Sequence, residues 1–326
     1  IVEELKYFKK KYSQPRRSKV IKIKDLSHIP EGQFNIVITE AGFIRKLSTT
    51  DNINNIKGDA PKYVISVENT ENILLFTTSG KVFNVPVHKI PVTEKSGVGT
   101  DLRLIVKGLV SDIMKVMYLP KIKEYATSPN KYFMMTLTEG NCIKKMDLDD
   151  FLNVPPSGIL FTKINQGDKV IEVKIVSNDS DIIVWSDRKA LRMKSESVPH
   201  FRRNTLGVGA MSGKERIDGF AEASKDITDV LVVTNSGKVN RFDIIGLPLS
   251  DRYKAGSNVV KLGKTDTINS ILCCNSDDML VVTSKIGETE YSVSQIKIGS
   301  SISTGEKIIP LKNDVILKTK ILSSPN

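Results

Sequence analysis

Lysines and arginines recur at fixed places in this chain, and their types and spacing point to chemistry. Position eight of a nine-residue repeat is a cation in four of six copies: Lys46, Lys145, Arg192 and Arg241. Arg45 and Lys144 precede two of them. Equivalent positions of a repeat occupy equivalent places in the folded protein. We therefore expect an arc of cations that binds the phosphates of a polyanion, interrupted where Asn84 and Glu290 take position eight.

Further cations lie in the loops that follow the repeats, beside glycine and other small residues. Small residues allow a backbone to approach phosphate groups closely, although glycines and lysines also serve simply to turn and solvate loops. Recurrence in register favours the binding interpretation. The candidate polyanion-binding residues are Arg45, Lys46, Lys57, Lys81, Lys95, Lys144, Lys145, Arg192, Lys194, Arg202, Arg203, Lys238, Arg241, Arg252 and Lys254.

Other chemistry finds little support. His28, His88 and His200 are far apart in sequence and lack partners at metal-ligand spacing. The acidic residues around Asp147 and Asp277 adjoin strands, where Asp ordinarily caps turns. The cysteines, an odd three including the adjacent Cys273 and Cys274, are interpreted as reduced core residues. We expect no catalytic, cofactor-binding or metal-binding residues in this chain.

The cations are positioned by a strand, turn and strand unit that occurs six times. Each copy follows an apolar run, and its fourth position is Gly or Asn in four copies, which favours a hairpin turn with positive φ. Arg188 and Ile286 depart from this rule, so those turns must differ. The frames are Thr39 to Leu47, Thr77 to Val85, Thr138 to Met146, Trp185 to Met193, Thr234 to Phe242 and Thr283 to Tyr291.

The spacing of the frames predicts an all-β ring. Their starts are 38, 61, 47, 49 and 49 residues apart, close to the length of a four-stranded propeller blade of about 40 to 50 residues. The long interval predicts an insertion over Leu119 to Asn130. A single blade cannot bury both faces, whereas six blades stack on one another. The expected blades span about 33–69, 70–129, 130–178, 179–226, 227–275 and 276–326 within one domain, 20–326.

The N-terminal residues carry most of the charge. Residues 1–24 hold nine Lys or Arg against Glu3 and Glu4, which leaves +4 of the net +11 for the rest of the chain. Val2, Leu5 and Phe8 share one face of a predicted helix that Pro15 ends. Residues 1–19 are thus predicted to be a helical linker. No apolar run is long enough to span a membrane, and no signal peptide is evident.

The frames together resemble the C-terminal β-pinwheel of the A subunits of bacterial DNA gyrase and topoisomerase IV. The resemblance covers nearly the whole chain and is carried by Gly42 to Lys46, Ile73 to Phe83 and Asn204 to Gly209. It implies a six-bladed pinwheel of four-stranded antiparallel sheets that binds and bends double-stranded DNA without sequence preference. The N-terminal stretch resembles the end of the family's breakage-reunion region.

The resemblance also implies properties of a longer parent protein. That protein would be an ATP-dependent type II topoisomerase, located in the cytoplasm with the nucleoid, that needs Mg²⁺ and ATP through other regions and an ATPase B subunit. This chain, without the catalytic tyrosine region, would be a monomeric non-enzymatic fragment. The family nucleophile is a tyrosine after an arginine, and Arg252-Tyr253 lies in a repeat loop instead.

One departure from the family pattern bears on the kind of topoisomerase. Gyrases carry a glutamine-led box rich in Arg and Gly after the first hairpin. Asn54 to Pro61 keeps Lys57 and Gly58 but lacks the arginines and paired glycines. This difference favours a topoisomerase IV-like or divergent enzyme over gyrase-type wrapping.

Two other functions remain as alternatives. A protein-binding propeller would show Trp-Asp or Gly-Gly signatures and neutral loops, and a propeller hydrolase would need carboxylates or histidines converging on the channel. The chain shows neither the neutral loops nor the Trp-Asp or Gly-Gly signatures, and its carboxylates and histidines are only scattered. The irregular sixth frame leaves both a closed and an open ring possible.

Overall fold

Six antiparallel hairpins form the framework of the protein. The computed structural model describes residues 2–12, 29–50, 59–94, 97–213, 216–311 and 314–323. A threonine at the first frame position braces four of the turns, because its hydroxyl accepts the N–H of position five at 3.1 to 3.3 Å. Position four has φ +86° at Gly42 and +70° at Asn141, which confirms the predicted turn geometry.

The two irregular frames turn differently, as the sequence predicts. In the fourth frame the N–H of Ser186 donates to the carbonyl of Lys189 at 2.9 Å. In the sixth, the N–H of Ser284 donates to Gly287, whose φ is +157°. The remaining positive-φ residues in the described chain do not include Arg188 or Ile286.

Each hairpin is the centre of one small sheet, which we call a blade. Blade 1 contains Gln33–Thr39, Phe43–Ser48, Pro61–Glu68 and Thr100–Asp101; blade 2 contains Asn72–Thr77, Lys81–Pro86, Ile113–Tyr118 and Ile159–Leu160; blade 3 contains Tyr132–Thr138, Cys142–Asp147, Val170–Ser177 and Val208–Gly209. Blade 4 contains Asp181–Trp185, Ala190–Lys194 and Gly219–Ala223; blade 5 contains Asp229–Thr234, Lys238–Asp243, Ile268–Cys274 and Glu306–Lys307; blade 6 contains Met279–Ser284, Glu288–Ser292 and Ile316–Leu322. The predicted six-bladed ring of small antiparallel sheets is confirmed.

Each outer strand comes from a later part of the chain than the rest of its sheet. The long third strand, which we call the inner strand, pairs with the first hairpin strand and contacts the inner strand of the next blade. The two-residue outer strand pairs with the second hairpin strand but comes from the loop after the following hairpin. In blade 4 this place is taken by a single bridge between Ala190 and Ser257. Contiguous ranges such as 33–69 therefore contain a hairpin and its inner strand, but not its outer strand.

The core lies between blades. Alternate residues of the first hairpin strand face opposite neighbours. In blade 2, Ile73 and Leu75 pack toward blade 1, whereas Leu74 and Phe76 pack toward blade 3, and all four are fully buried. Each such side chain contributes roughly 1.5 to 3 kcal/mol by leaving water. This burial on both faces explains why the apolar runs are continuous rather than alternating. Trp185 is also buried.

Helices are few and short. The predicted N-terminal helix is observed at Val2–Tyr12, and the predicted stop at Pro15 lies outside the described residues. The expected insertion contains the helix Leu119–Ala126, whose Leu119 and Ile122 fill the core between blades 2 and 3. One further α-helical turn spans Leu102–Ile105. In the described residues, short 3-10 helices follow the hairpins of blades 2 to 6, at Val87–Lys89, Leu148–Phe151, Ser195–Ser197, Ile244–Gly246 and Val293–Gln295.

Candidate nucleic-acid interface

The cations of frame position eight are internal to the ring. Lys46, Lys145 and Arg241 are at most 6% exposed. The Lys145 ammonium donates to the carbonyl of Ser195 at 3.2 Å and to Asn178 Oδ1 at 3.1 Å. Ser195 belongs to the 3-10 helix of the next blade. The expected surface arc at this position is therefore wrong, because the side chains join neighbouring blades.

The two arginines at position eight form the same joint with an added carboxylate. Arg241 Nη1 donates to the carbonyls of Val293 and Ile296 at 2.7 and 3.1 Å, and its Nε donates to Asp229 Oδ2 at 2.8 Å. Arg192 contacts Asp181 and the next 3-10 helix in the same way, with 18% of its side chain exposed. A planar guanidinium can reach two carbonyls and a carboxylate at once. These cations satisfy helix-end carbonyls and are not free to meet phosphates.

The same position explains the exceptions in the repeat. Asn84 donates its side-chain N–H to the carbonyl of Val154 at 2.9 Å, so an amide replaces the cation in blade 2. Glu290 is exposed, and its side chain has no N–H to donate. The sixth frame therefore lacks the donor chemistry of the other five.

Frame position seven is also internal. Arg45 and Lys144 are each 1% exposed. Arg45 Nε donates to the carbonyl of Val98 at 3.0 Å, and Lys144 Nζ donates to the carbonyls of Phe161 and Thr205 at 2.9 and 3.0 Å. Burial lowers the pKa of the Lys144 ammonium to about 8. The prediction that these two side chains lie on the surface is wrong.

The loop cations are placed differently. We call the outer strands and their adjoining loops, residues 92–94, 97–103, 153–164, 200–212, 249–262 and 298–308, the rim. Arg202 and Lys254 are exposed on it, Arg203 is half-buried, and Arg252 Nη1 donates to the carbonyl of Gly209. Of the other candidates, Lys81 and Lys194 are exposed on hairpin strands and Lys238 is half-buried. Lys57 and Lys95 lie outside the described residues. The DNA-binding role of the accessible cations stays a prediction.

The rim glycines hold the outer strands close to the second hairpin strands of their own sheets. A Cβ on Gly207 would lie 2.5 Å from the carbonyl oxygen of Ile143, and one on Gly305 would lie 2.8 Å from that of Val239. Both carbonyls belong to frame position six. The same close approach to a position-six carbonyl occurs at Gly99 and Gly256, whereas a Cβ on Gly158 would lie 2.6 Å from the Phe83 ring. Strand packing, rather than access to phosphate, requires these glycines.

Acidic side chains partly neutralise the rim between blades 3 and 4. Arg203 Nε lies 3.3 Å from Asp150, and His200 Nε2 lies 3.0 Å from Asp147. These residues, with Arg202 and Asn204, line an open cleft of about 1050 Å³. Asp147 precedes a 3-10 helix but does not cap it, so its expected turn-capping role is wrong. In the described residues no group of three or more His, Cys, Asp or Glu could hold a metal ion.

Several accessible cations lie outside the predicted set. Lys163 and Lys261 each stand five residues after a rim glycine, and their N–H groups donate to equivalent carbonyls, Thr205 at 3.1 Å and Ser303 at 2.8 Å. Both side chains are exposed, as is Lys307 in the outer strand of blade 5. Their distance from the rim glycine is a detectable signal. The nine-residue frames did not extend far enough to show it.

The cysteines and Tyr253 show no arrangement that suggests a reactive site. The three cysteines are free thiols, and burial raises the pKa of Cys273 to about 12. Tyr253 lies in a rim loop with φ +64° and its ring against Gly209. Among the described helices, none is long and apolar enough to cross a membrane.

Comparison with known proteins agrees with this architecture. The family described as DNA gyrase C-terminal domain, beta-propeller, matches residues 71–100, 133–177 and 228–275, which fall in blades 2, 3 and 5. The DNA gyrase A subunit of Kosmotoga olearia is 23% identical over 96% of this chain and 41% of the relative. The DNA gyrase A subunit of Staphylococcus aureus (strain MRSA252) is 20% identical over 97% of this chain and 38% of the relative. The chain thus spans about two fifths of these relatives.

Solved structures share the fold. The C-terminal domain of a DNA topoisomerase IV aligns with a TM-score of 0.74, 16% identity, and coverage of 90% of this chain and 94% of that one. A DNA gyrase A C-terminal domain aligns with a TM-score of 0.68, 17% identity, and coverage of 89% and 100%. Together with the sequence relatives, these alignments confirm the resemblance carried by the repeats. The chain has the β-pinwheel fold of the C-terminal domains of a DNA gyrase A subunit and a DNA topoisomerase IV, and its sequence is similar to that of DNA gyrase A subunits.

Proposed function

We propose that the rim binds duplex DNA through its phosphates, without base-specific contacts. The observation that carries this proposal is the exposure of rim cations, in contrast to the buried cations of the frames. The described rim contains eight Lys or Arg against four Asp or Glu. Arg202 is exposed in the loop before the outer strand of blade 3, and Lys254 and Lys261 are exposed on either side of Ser257, which forms the single bridge of blade 4. Phosphate contacts position a protein on DNA but carry no direct sequence information.

The number of accessible cations sets the strength and character of binding. About six to ten phosphate contacts give a log-log salt slope of about −5 to −9. Bending 20 to 30 base pairs along the ring costs about 1 to 6 kcal/mol. Several charge-assisted hydrogen bonds at about 1.5 to 3 kcal/mol each offset that cost. The rim would therefore stabilise bent DNA in a strongly salt-dependent way.

The parent protein, on this proposal, is the A subunit of a type II topoisomerase. Its other regions, with Mg²⁺, ATP and a B subunit, would cleave and pass DNA strands, and the pinwheel would present a bent segment to them. The sequence relatives support this assignment, because they carry the name of the DNA gyrase A subunit. A cytoplasmic location at the nucleoid follows from the same proposal.

The finer activity is bending rather than gyrase-type wrapping. Asn54 to Pro61 lacks the arginines and paired glycines of the gyrase box, and this difference supports a topoisomerase IV-like or divergent role. The relatives carry the gyrase name and the solved neighbours include both classes, so the similarities support either activity.

Duplex binding as a function of salt tests the DNA proposal, and the linking number of plasmid religated in the presence of the chain tests the finer one. We expect salt-dependent binding with an unchanged linking number. A changed linking number would favour wrapping over bending. Absence of binding at low salt would overturn DNA binding and favour a protein-interaction propeller.

A further inference from the structure

We propose that Lys144 is a positioning residue that holds the rim loop carrying Arg202 and Arg203 in its DNA-binding shape. The proposal rests on the proposed function, and it concerns a buried side chain that cannot itself touch DNA. Lys144 lies on the second hairpin strand of blade 3 and is 1% exposed. Its role would be to fix the backbone from which the two arginines project.

The contacts of the Lys144 ammonium are with two successive rim loops. It donates to the carbonyl of Phe161 at 2.9 Å, next to the outer strand of blade 2. It also reaches the carbonyls of Thr205 at 3.0 Å and Arg202 at 3.4 Å, before the outer strand of blade 3. One point charge with three donors thus joins the carbonyls of two successive rim loops.

The Thr205 carbonyl is the node of this arrangement. Besides Lys144 Nζ it accepts the N–H of Lys163 at 3.1 Å and the hydroxyl of Thr162 at 3.3 Å. The Thr205 hydroxyl in turn donates to the carbonyl of Arg202 at 2.7 Å. The exposed Lys163 and Arg202 are therefore linked through Thr205, and the buried Lys144 ammonium contacts the carbonyls of both Thr205 and Arg202.

Equivalent positions elsewhere in the ring show that this is a repeated device. At frame position seven, Arg45 donates to Val98 and Asn240 donates to Ser300, and both carbonyls lie in the rim loop of the next blade. Blades 2 and 4 carry Phe83 and Leu191 at this position. Lys144 is the member of this set whose loop holds two adjacent arginines.

The charges around Lys144 make the loop sensitive to its removal. Asp150 is the carboxylate whose charge acts on the ammonium, and it also pairs with Arg203 at 3.3 Å. Asp147 is paired with His200 at 3.0 Å. Without the Lys144 ammonium, the carbonyls of Phe161, Arg202 and Thr205 would lose the donor that they share, and the backbone that carries the arginines would lose one of its fixed points.

The test compares Lys144→Met with Lys145→Met in salt titrations of binding to a fluorescent DNA duplex. Lys145 is the adjacent buried lysine, and its ammonium contacts Asn178 and Ser195 instead of the loop. We expect the salt slope to become shallower by about 1 in Lys144→Met, as for loss of one phosphate contact. Lys145→Met should leave the slope unchanged. Equal slopes in the two variants would overturn the proposal.

A double-mutant cycle separates positioning from general destabilisation. Replacing Arg202 and Arg203 with Ala should make the slope shallower by about 2. Adding Lys144→Met to that variant should change the slope less than it does in the unmodified chain, because two of the cations whose backbone Lys144 holds are gone and only Lys163 remains. An additional, undiminished effect would show that Lys144 acts elsewhere and would overturn the positioning role.

Two further measurements keep the proposal testable if Lys144→Met folds poorly or if the chain does not bind DNA. Lys144→Asn and Lys144→Arg keep a donor, as Asn240 and Arg45 do at this position, and should restore the slope. Amide exchange at Lys163 should accelerate in Lys144→Met but not in Lys145→Met. If the unmodified chain does not bind DNA, the proposed function fails, and the exchange at Lys163 still decides whether Lys144 holds the loop.

Discussion

Arg241 and Asp229 illustrate how a buried ion pair can be tolerated between blades. The two side chains are 5% and 8% exposed, so both charges have largely left water. The guanidinium also satisfies the carbonyls of Val293 and Ile296. Removing one partner of such a pair costs more than the pair contributes, because the other charge stays buried and unpaired.

Arg241→Met should therefore lower the free energy of unfolding by about 3 to 5 kcal/mol. Urea denaturation followed by circular dichroism measures the change. Lys238→Ala, on the same strand but with a half-buried side chain and no ion pair to a described residue, should change stability by about 0.5 kcal/mol or less. Equal effects of the two substitutions would contradict a structural role for Arg241.

Lys144 predicts how stability depends on pH. Its pKa is lowered by burial from 10.5 to about 8. Between these values the unfolded chain binds a proton that the folded chain does not, so the free energy of unfolding rises with pH. The difference between the unmodified chain and Lys144→Met should grow from about pH 8 to about pH 10, by at most about 1.4 kcal/mol per unit. Parallel curves in urea denaturation would contradict the lowered pKa.

At the scale of elements, the rim loop of blade 4 carries an arginine that could bind a phosphate but is paired with a carboxylate of the protein. Asp150 lies 3.3 Å from Arg203 Nε, and the side chains are 31% and 40% exposed. A carboxylate in this place competes with a phosphate for the arginine. The ion pair thus holds the loop in place but reduces the positive charge that it offers to DNA.

Asp150→Asn should tighten binding to duplex DNA and steepen its log-log salt slope by up to about 0.9, because Arg203 becomes available to a phosphate. Fluorescence anisotropy titrations at several salt concentrations measure both quantities. Asp179→Asn, in an exposed pair with Lys225, provides a control that should leave the slope unchanged. A weaker or unchanged affinity in Asp150→Asn would show that Arg203 does not contact DNA.

The frames predicted the elements well because their rules are local. Thr39 and Gly42 define a turn within a few residues, and the apolar run before it defines a buried strand. The role of position eight could not be found in this way. Whether Lys145 faces water depends on Ser195, 50 residues further along the chain, and a recurring cation has the same appearance in sequence whether it binds phosphate or a helix-end carbonyl.

The rim was predicted in part for the same reason. Arg202 and Lys254 were found because they stand among small loop residues, and they are exposed. The pairing of the outer strands was not predicted, because Val208–Gly209 is only two residues long and pairs with Cys142–Asp147, which lies far from it in sequence. Strands of that length carry no periodicity that a sequence pattern can detect.

At the scale of the whole molecule, stability should vary around the ring. The second hairpin strand of blade 5, Lys238–Asp243, is mostly buried, whereas that of blade 6, Glu288–Ser292, is mostly exposed. The Glu290 side chain also lacks the N–H donor with which other position-eight side chains contact a neighbouring blade. Local opening takes less free energy where fewer apolar contacts must break.

Hydrogen exchange should reveal this difference. We expect the amides of Glu288–Ser292 to exchange faster than those of Lys238–Asp243 under native conditions, with the second hairpin strand of blade 3, Cys142–Asp147, as a further protected reference. Mass spectrometry of peptic peptides resolves the three strands. Equal protection would mean that blade 6 is held as firmly as the rest of the ring.

The contacts between blades depend on residues that come later in the sequence, and this limits where the chain can be truncated. Blades 1 to 5 obtain their outer pairing partners, and the acceptors for their buried donors, from residues that come later in the sequence. A truncation placed neatly between blades 5 and 6 would leave Arg241 without Val293 and Ile296, and would expose the edge of Lys238–Asp243. During synthesis, likewise, each of these blades must wait for its successor before its own interior is complete.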